Sequence, residues 1–276
     1  YSDSVPMLVI SSVNNSHELA LGQGRLHELP NQRQLVEGVS VFSHTVARPA
    51  ELGEVLARTF AIFECARPGP VHIELPLDVI TAPAPSEPIK AVHTKYRPGP
   101  NQAAIASAVE LLQNASNPFV VFGGGTQDAA GEAITLVDKL GAPTALTINA
   151  KGVLPPDHRL NIGSRLPQTP VLHALQSADV VLAVGTELSE TDTLLFDGQL
   201  KIEGRVIRVD IEPEQLTRNA PPEVAICADA GLAMAAISDA LPDVPLFDGR
   251  AEVAVLREES DSLTPVEYHA HGRFLE

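Results

Sequence analysis

Gly123-Gly124-Gly125-Thr126 follows the apolar run Phe119 to Phe122 and precedes an Ala/Leu-rich stretch. In an open α/β sheet that position turns backbone N–H groups and a helix dipole toward an anionic ligand, which makes these four residues candidates for a nucleotide site. Their spacing is not the G-x-G-x-x-G of dinucleotide folds, and a plain tight strand-to-helix turn is the competing reading. Gly185-Thr186-Glu187 stands in the same strand-to-loop context after Val180 to Val184, and Asp210-Ile211-Glu212 ends the run that begins near Val206. Three such strand ends would converge on one crevice outside the carboxyl edge of a sheet, where ligands of open α/β folds bind. A carboxylate at Asp210 or Glu212 can accept hydrogen bonds from ribose hydroxyls; the alternative is a pair of solvated turn residues ahead of Pro213. Lys151-Gly152 lies in a loop after Thr144 to Ile148, where the Lys either meets a diphosphate or is simply solvated.

Other chemistry is excluded by type and spacing. The nine histidines form no i, i+4 pair on a helix and have no partner Cys, so side-chain metal ligation is not expected. There is no G-x-S-x-G, no P-loop and no Cys/His pair suggesting a covalent nucleophile. A formal net charge of −16 argues against nucleic acid, whose phosphates need clustered Lys and Arg. The longest apolar runs are too short to span a bilayer, so no membrane partner is expected. Only Cys65 and Cys227 occur, without the spacing of a disulfide framework or a zinc site, which fits a reducing cytoplasm.

The elements that must position these residues follow from periodicity. Short β-branched runs alternate with longer amphipathic stretches, the pattern of strands and crossover helices in a mostly parallel sheet, so the fold class is α/β. Strands are expected at Pro6 to Ser11 and Val71 to Leu75, with a helix over Pro49 to Cys65. Arg67-Pro68-Gly69-Pro70 loses two N–H donors to proline and forces a tight non-helical link. Repeated Pro from Thr81 to Pro100 reads as an inter-domain linker. Beyond it, helices are expected near Asn101 to Asn114, Ala129 to Leu140, Thr169 to Gln176 and Gly231 to Leu241. Strands are expected at Phe119 to Phe122, Thr144 to Ile148, Val180 to Val184, Val206 to Asp210 and Val224 to Cys227. The stretch through Pro167 reads as irregular, and the polar, acidic chain beyond Pro242 as a connector. At the ends, Tyr1-Ser2-Asp3-Ser4-Val5-Pro6 carries no initiator Met or leader-like region and reads as cut from something longer, while Thr264-Pro265-Val266-Glu267 reads as a helix start.

In order along nearly the whole chain, these motifs resemble the thiamine-diphosphate-dependent enzymes related to the acetolactate synthase large subunit. Tyr1 to Ile10 is similar to the late strand of that family's pyrimidine-binding domain, and Arg67-Pro68-Gly69-Pro70-Val71-His72-Ile73-Glu74-Leu75-Pro76-Leu77-Asp78 to the signature that closes it. Asn117-Pro118 with Gly123-Gly124-Gly125, Ala150-Lys151-Gly152-Val153-Leu154-Pro155, Ala178-Asp179 with Gly185-Thr186, and Val209-Asp210-Ile211-Glu212-Pro213 are similar to successive landmarks of its central domain.

The resemblance implies a pyrimidine-binding part over 1–82, a linker over 83–100, a central domain with a six-stranded, Rossmann-like parallel sheet over 101–242, and a connector leading to a third domain over 243–276. It implies a parent enzyme that decarboxylates or joins 2-keto acids with thiamine diphosphate and Mg²⁺, working as a homo-dimer or homo-tetramer. The Glu that activates thiamine in that family has no counterpart here. Nor has the Gly-Asp-Gly with downstream Asn that holds Mg²⁺; Phe196-Asp197-Gly198 and Phe247-Asp248-Gly249 match it only superficially. The chain alone is therefore expected to be inactive. The central domain of relatives holds FAD, ADP or nothing, and Gly123, Gly124, Gly125, Thr126, Lys151, Gly152, Gly185, Thr186, Asp210, Ile211 and Glu212 would line that site. The loop Gly22-Gln23-Gly24-Arg25-Leu26-His27-Glu28 falls where acetolactate synthases carry Phe-Gln-Glu, so Leu26 and His27 replace Phe and Gln, and His27 would face substrate. Val41 falls where they carry a substrate-side Lys. A stand-alone nucleotide-binding or interaction module is the competing reading.

Overall fold

The computed structural model describes residues 1–94, 96–196 and 198–263. The chain divides into two compact units, Tyr1–Arg97 and Pro98–Glu276.

The first unit is a three-stranded parallel sheet of β1 (Met7–Val13), β2 (Phe42–Thr45) and β3 (Pro70–Pro76), in the order β1-β3-β2. Two helices join them in chain order, α1 (Gln32–Glu37) and α2 (Leu52–Cys65), and α3 (Leu77–Ile80) follows β3. The side chains of β3 alternate, as a strand requires. Val71 and Ile73 bury themselves with Phe42, Val46 and Val55, where α2 lays its apolar stripe of Leu52, Leu56, Ile62 and Phe63. His72 and Glu74 point to the opposite face and are also buried. They are satisfied there: the His72 ring bonds Ser43 Oγ at 2.7 Å and Ser11 Oγ at 2.8 Å, while Glu74 accepts from Thr45 Oγ1 at 2.6 Å and Gln32 Nε2 at 3.2 Å. Burial pushes the His72 imidazole below its ordinary value, partly opposed by the Glu74 charge. The Pro-rich stretch after α3 is held to α2, where Glu64 accepts from Thr94 N at 2.8 Å and Thr94 Oγ1 at 2.6 Å.

The second unit is a six-stranded, all-parallel sheet. Its strands are β4 (Pro118–Phe122), β5 (Thr144–Leu146), β6 (Asn161–Gly163), β7 (Val180–Val184), β8 (Arg205–Asp210) and β9 (Val224–Cys227). Their order is β6-β5-β4-β7-β8-β9. The chain starts in the middle at β4, winds outward one way to β6, then returns beside β4 and winds the other way, so the topology reverses between β4 and β7. Phe119 and Val121 of β4 enter one core and Val120 and Phe122 the other, which is why this strand reads as an unbroken apolar run. Helices α4 (Gln102–Gln113), α5 (Ala130–Leu140) and α8 (Ala230–Ala240) supply the first core. α6 (Thr169–Ser177) and α9 (Arg250–Ser262) cover the other face, and α7 (Glu190–Thr193) is a single turn after β7.

Three expectations are corrected. Two short strands were not expected, β6 in the stretch read as irregular and β2 in a stretch assigned no element, because Ser, His and Asn carry no strand signal and the neighbouring strand supplies the pairing. The strand expected to reach Ile148 ends at Leu146, and a 3₁₀ turn over Ile148–Ala150 follows. The acidic connector beyond Pro242 contains α9, whose mean charge hides buried Val253, Leu256 and Ser260. Arg257 fastens α9 to Asn161 O at 2.7 Å and Pro156 O at 2.8 Å. The helix start expected at Thr264 lies outside the described residues. Among the described residues, no helix is long and apolar enough to cross a membrane.

Candidate functional site at the carboxyl edge of the parallel sheet

The loops leaving β4 and β7 meet at the topological reversal. Gly123 N donates to Val184 O at 2.9 Å and Gly125 N donates to Gly185 O at 3.0 Å, so these two N–H groups are engaged by the protein itself. The approach is close enough to demand glycine. A Cβ on Gly123 would lie 2.2 Å from Gly185 O, and one on Gly185, where φ is +60°, would lie 2.8 Å from Gly125 Cα. Thr126 is buried and returns its hydroxyl to Gly123 O at 2.7 Å. The glycines therefore have a packing reason that needs no ligand, which is the tight-turn reading of this motif.

The other strand ends are brought to the same edge. Lys151 is exposed, and Gly152, at φ +93°, has open space around it. Asp210 is buried and its Oδ1 accepts from Glu212 N at 2.9 Å, an Asx turn that aims the chain away from β8. Ile211 and Glu212 are half-buried. Thr186 is buried and its hydroxyl accepts from Leu188 N at 3.0 Å. Nearby, burial pushes the Asp192 carboxyl above its ordinary value, against hydrogen bonds from Ser189.

Arg208 at the centre of β8 is the residue that motif reading missed, although a charge inside Val206-Ile207-Arg208-Val209 is itself a signal. It is fully buried. Its guanidinium donates to four carbonyls: Thr186 at 2.7 Å, Arg218 at 2.9 Å, Gln215 at 3.0 Å and Ala220 at 3.3 Å. One side chain thus fastens the loop after β7 to the loop after β8. Burial lowers its pKa, with Asp210 and Glu187 acting the other way.

In the first unit, His27 is exposed in a left-handed conformation, φ 57°, on the loop after β1. Among the described residues, no group of His, Cys, Asp and Glu could hold a metal ion. Neither Phe196-Asp197-Gly198 nor Phe247-Asp248-Gly249 has the leading Gly of the Gly-Asp-Gly expected to hold Mg²⁺ on a diphosphate.

A family model described as the thiamine pyrophosphate enzyme central domain matches residues 105–237. A Pseudomonas aeruginosa protein named as a 2-ketoarginine decarboxylase is 42% identical over 261 residues, covering 93% of this chain and 46% of that protein. The glyoxylate carboligase of Escherichia coli O157:H7 is 31% identical over 248 residues, covering 84% of this chain and 40% of that protein. Acetolactate synthase large subunits also match. A solved structure described as a thiamin diphosphate-dependent enzyme from Mycobacterium smegmatis superposes with a TM-score of 0.75 at 22% identity, over 89% of this chain and 48% of that one, which speaks for the fold. The chain spans less than half the length of these relatives. With the reversed parallel sheet, the glycine-locked loops and these matches together, the chain belongs to the thiamine-diphosphate-dependent enzyme family, acetolactate synthase large subunits among its relatives, and carries that family's central domain.

Proposed function

We propose that the protein to which this chain belongs is a decarboxylase or carboligase of 2-keto acids that uses thiamine diphosphate and Mg²⁺. The observation that carries the reading is the 42% identity to the 2-ketoarginine decarboxylase, sustained over 93% of the chain. Acetolactate formation is the less favoured activity, since the decarboxylase matches at 42% and acetolactate synthases at 26–30%. No Gly-Asp-Gly stands in these 276 residues, so the thiamine anchors are assigned to other residues of that protein and this chain alone is inactive in this reading. Its parts would be a pyrimidine-binding segment over 1–82, a linker over 83–100, the central domain over 101–242 and a connector over 243–276.

His27 is proposed to face substrate, in an assembly of two or four copies. Gly123, Gly124, Gly125, Thr126, Lys151, Gly152, Gly185, Thr186, Asp210, Ile211 and Glu212 are proposed to edge a site for FAD or ADP. The reversal of strand order between β4 and β7 supports a ligand at that edge, while the engaged N–H groups of Gly123 and Gly125 shift phosphate contacts toward Lys151. Two free thiols fit a cytoplasmic setting.

The test has two arms. CO₂ release from 2-ketoarginine, glyoxylate and pyruvate is measured for the enzyme containing this chain, with thiamine diphosphate and Mg²⁺ supplied. No turnover of any of the three would remove the keto-acid reading. Calorimetric titration of the chain with FAD and ADP tests the central site, and no heat at tens of micromolar would leave that domain empty.

A further inference from the structure

The loop between β1 and α1 has a property that neither packing nor secondary structure explains. Four of its residues are left-handed: Ala20 at φ 60°, Gly22 at 67°, Gly24 at 70° and His27 at 57°. Two of these, Ala20 and His27, carry a Cβ, which the left-handed conformation brings too close to the following carbonyl oxygen. Such a loop persists only if something over-determines it, and the burial that usually does so is missing, because Leu26 is 80% exposed and His27 is exposed.

The restraint is polar. Glu28 turns its carboxylate back into the loop, where Oε1 accepts from Gly22 N at 2.6 Å and Gln23 N at 3.4 Å, and Oε2 accepts from Arg25 N at 2.9 Å. Successive N–H groups in left-handed turns form an anion-binding concavity, and here the protein fills it with its own carboxylate. Charge-assisted bonds of this kind are about twice as strong as neutral ones. The loop is then tied outward: Arg25 pairs with Glu18 at 3.0 Å, and Asn14 Nδ2, just past β1, donates to Leu26 O at 3.1 Å. An open cavity of about 300 Å³ lies between Ala20, Gly22, Gly24, Arg25, Glu28 and Pro30.

A loop that spends this much bonding to keep a leucine in solvent presents that leucine to something else. We propose that Glu28 is a positioning residue that locks the loop 20–28, and that the locked loop presents Leu26 and His27 as the surface that selects the side chain of the 2-keto acid. The lock stands on the geometry alone; the selectivity rests on the keto-acid reading above.

Two measurements separate them. In the chain itself, amide hydrogen exchange at Gly22, Gln23 and Arg25 is compared among the parent, Glu28→Gln and Glu28→Ala. Exchange should rise about fivefold or more in Glu28→Ala, the factor expected from one lost hydrogen bond, with Glu28→Gln between the two. In the enzyme containing the chain, Glu28→Ala and Leu26→Ala should change KM more than kcat and narrow the kcat/KM preference between 2-ketoarginine and pyruvate, with Glu28→Gln restoring part of it. Unchanged exchange overturns the lock. Faster exchange with an unchanged substrate preference overturns the selectivity role, and an enzyme that turns over no 2-keto acid overturns it through the reading on which it rests, while the exchange result still decides the lock.

Discussion

Replacing Gly123 by Ala separates the two reasons a glycine can stand at the end of β4. The backbone there is extended, φ −110°, so no conformational penalty attaches to the substitution and only contact matters. The new methyl would lie 2.2 Å from Gly185 O, 2.4 Å from Thr186 Cβ and 2.6 Å from Thr186 Cα, none of them a movable side-chain end. Bringing these to van der Waals distance requires the β7 loop to retreat by about 1 Å, since carbon contacts are most favourable at about 3.5–4.0 Å. That retreat stretches the bonds from Gly123 N to Val184 O and from Gly125 N to Gly185 O, now 2.9 and 3.0 Å. Two hydrogen bonds at about 1 kcal/mol each, with about 1–3 kcal/mol of overpacking, give a loss of about 3–5 kcal/mol. For a unit of this size each kcal/mol moves the midpoint by about 2–4 °C, so thermal unfolding followed by circular dichroism should fall by roughly 10 °C. Gly131→Ala in α5 is the control: nothing lies within 4 Å of its Cβ position, and it should gain about 0.4–1 kcal/mol. If Gly123→Ala melts within a degree or two of the parent yet abolishes binding of FAD or ADP, the packing argument is refuted and the glycine serves a ligand.

Arg208→Met should be destabilised by about 3–5 kcal/mol, because the carbonyls of Thr186, Gln215, Arg218 and Ala220 lose their donor inside the protein. A urea midpoint equal to the parent's would mean that the desolvation cost of the guanidinium cancels its bonds. Glu64, held by Thr94 and then His93, has a carboxyl lowered to about 2. Because its folded pKa is depressed, its contribution is fully present above the unfolded value and is lost as pH falls through about 2. Protection of the Thr94 amide, taken relative to its intrinsic exchange rate at each pH, should therefore fall on acidification below pH 4 in the parent and be low at every pH in Glu64→Ala; a parent protection factor that does not depend on pH would contradict this.

How much of this was legible in the sequence depended on distance along the chain. Phe119 to Phe122 and Val180 to Val184 announce buried parallel strands by themselves, because every side chain in them must be apolar to satisfy two cores. β2 and β6 are silent, since Phe42-Ser43-His44-Thr45 and Asn161-Ile162-Gly163 become strands only through the neighbours they pair with. α9 was masked by its own charge: four acidic residues in thirteen conceal a stripe of Val253 and Leu256 that α6 and β6 are there to receive. The glycine cluster was visible, but what it faces was not, for Gly123 and Gly185 are distant in sequence and touch only after the sheet has formed. Glu28 shows the same limit, because its partners are backbone N–H groups that no residue type encodes.

Three separate places share one physical device. At the reversal point the N–H groups of Gly123 and Gly125 are taken by the β7 loop; after β7 and β8 four carbonyls are taken by Arg208; after β1 three N–H groups are taken by Glu28. In each, backbone polarity that a ligand could have met is met by the protein. Loops so satisfied hold their shape without a ligand and lose little entropy when one arrives, which is the requirement for preorganised recognition. In the reading proposed above, the consequence is a division of labour: backbone groups set geometry, and discrimination is assigned to side chains left at the surface, Lys151 at the carboxyl edge of the sheet and Leu26 with His27 on the first unit's loop. Fastening the loops internally would let those side chains be exchanged without disturbing the frame that carries them.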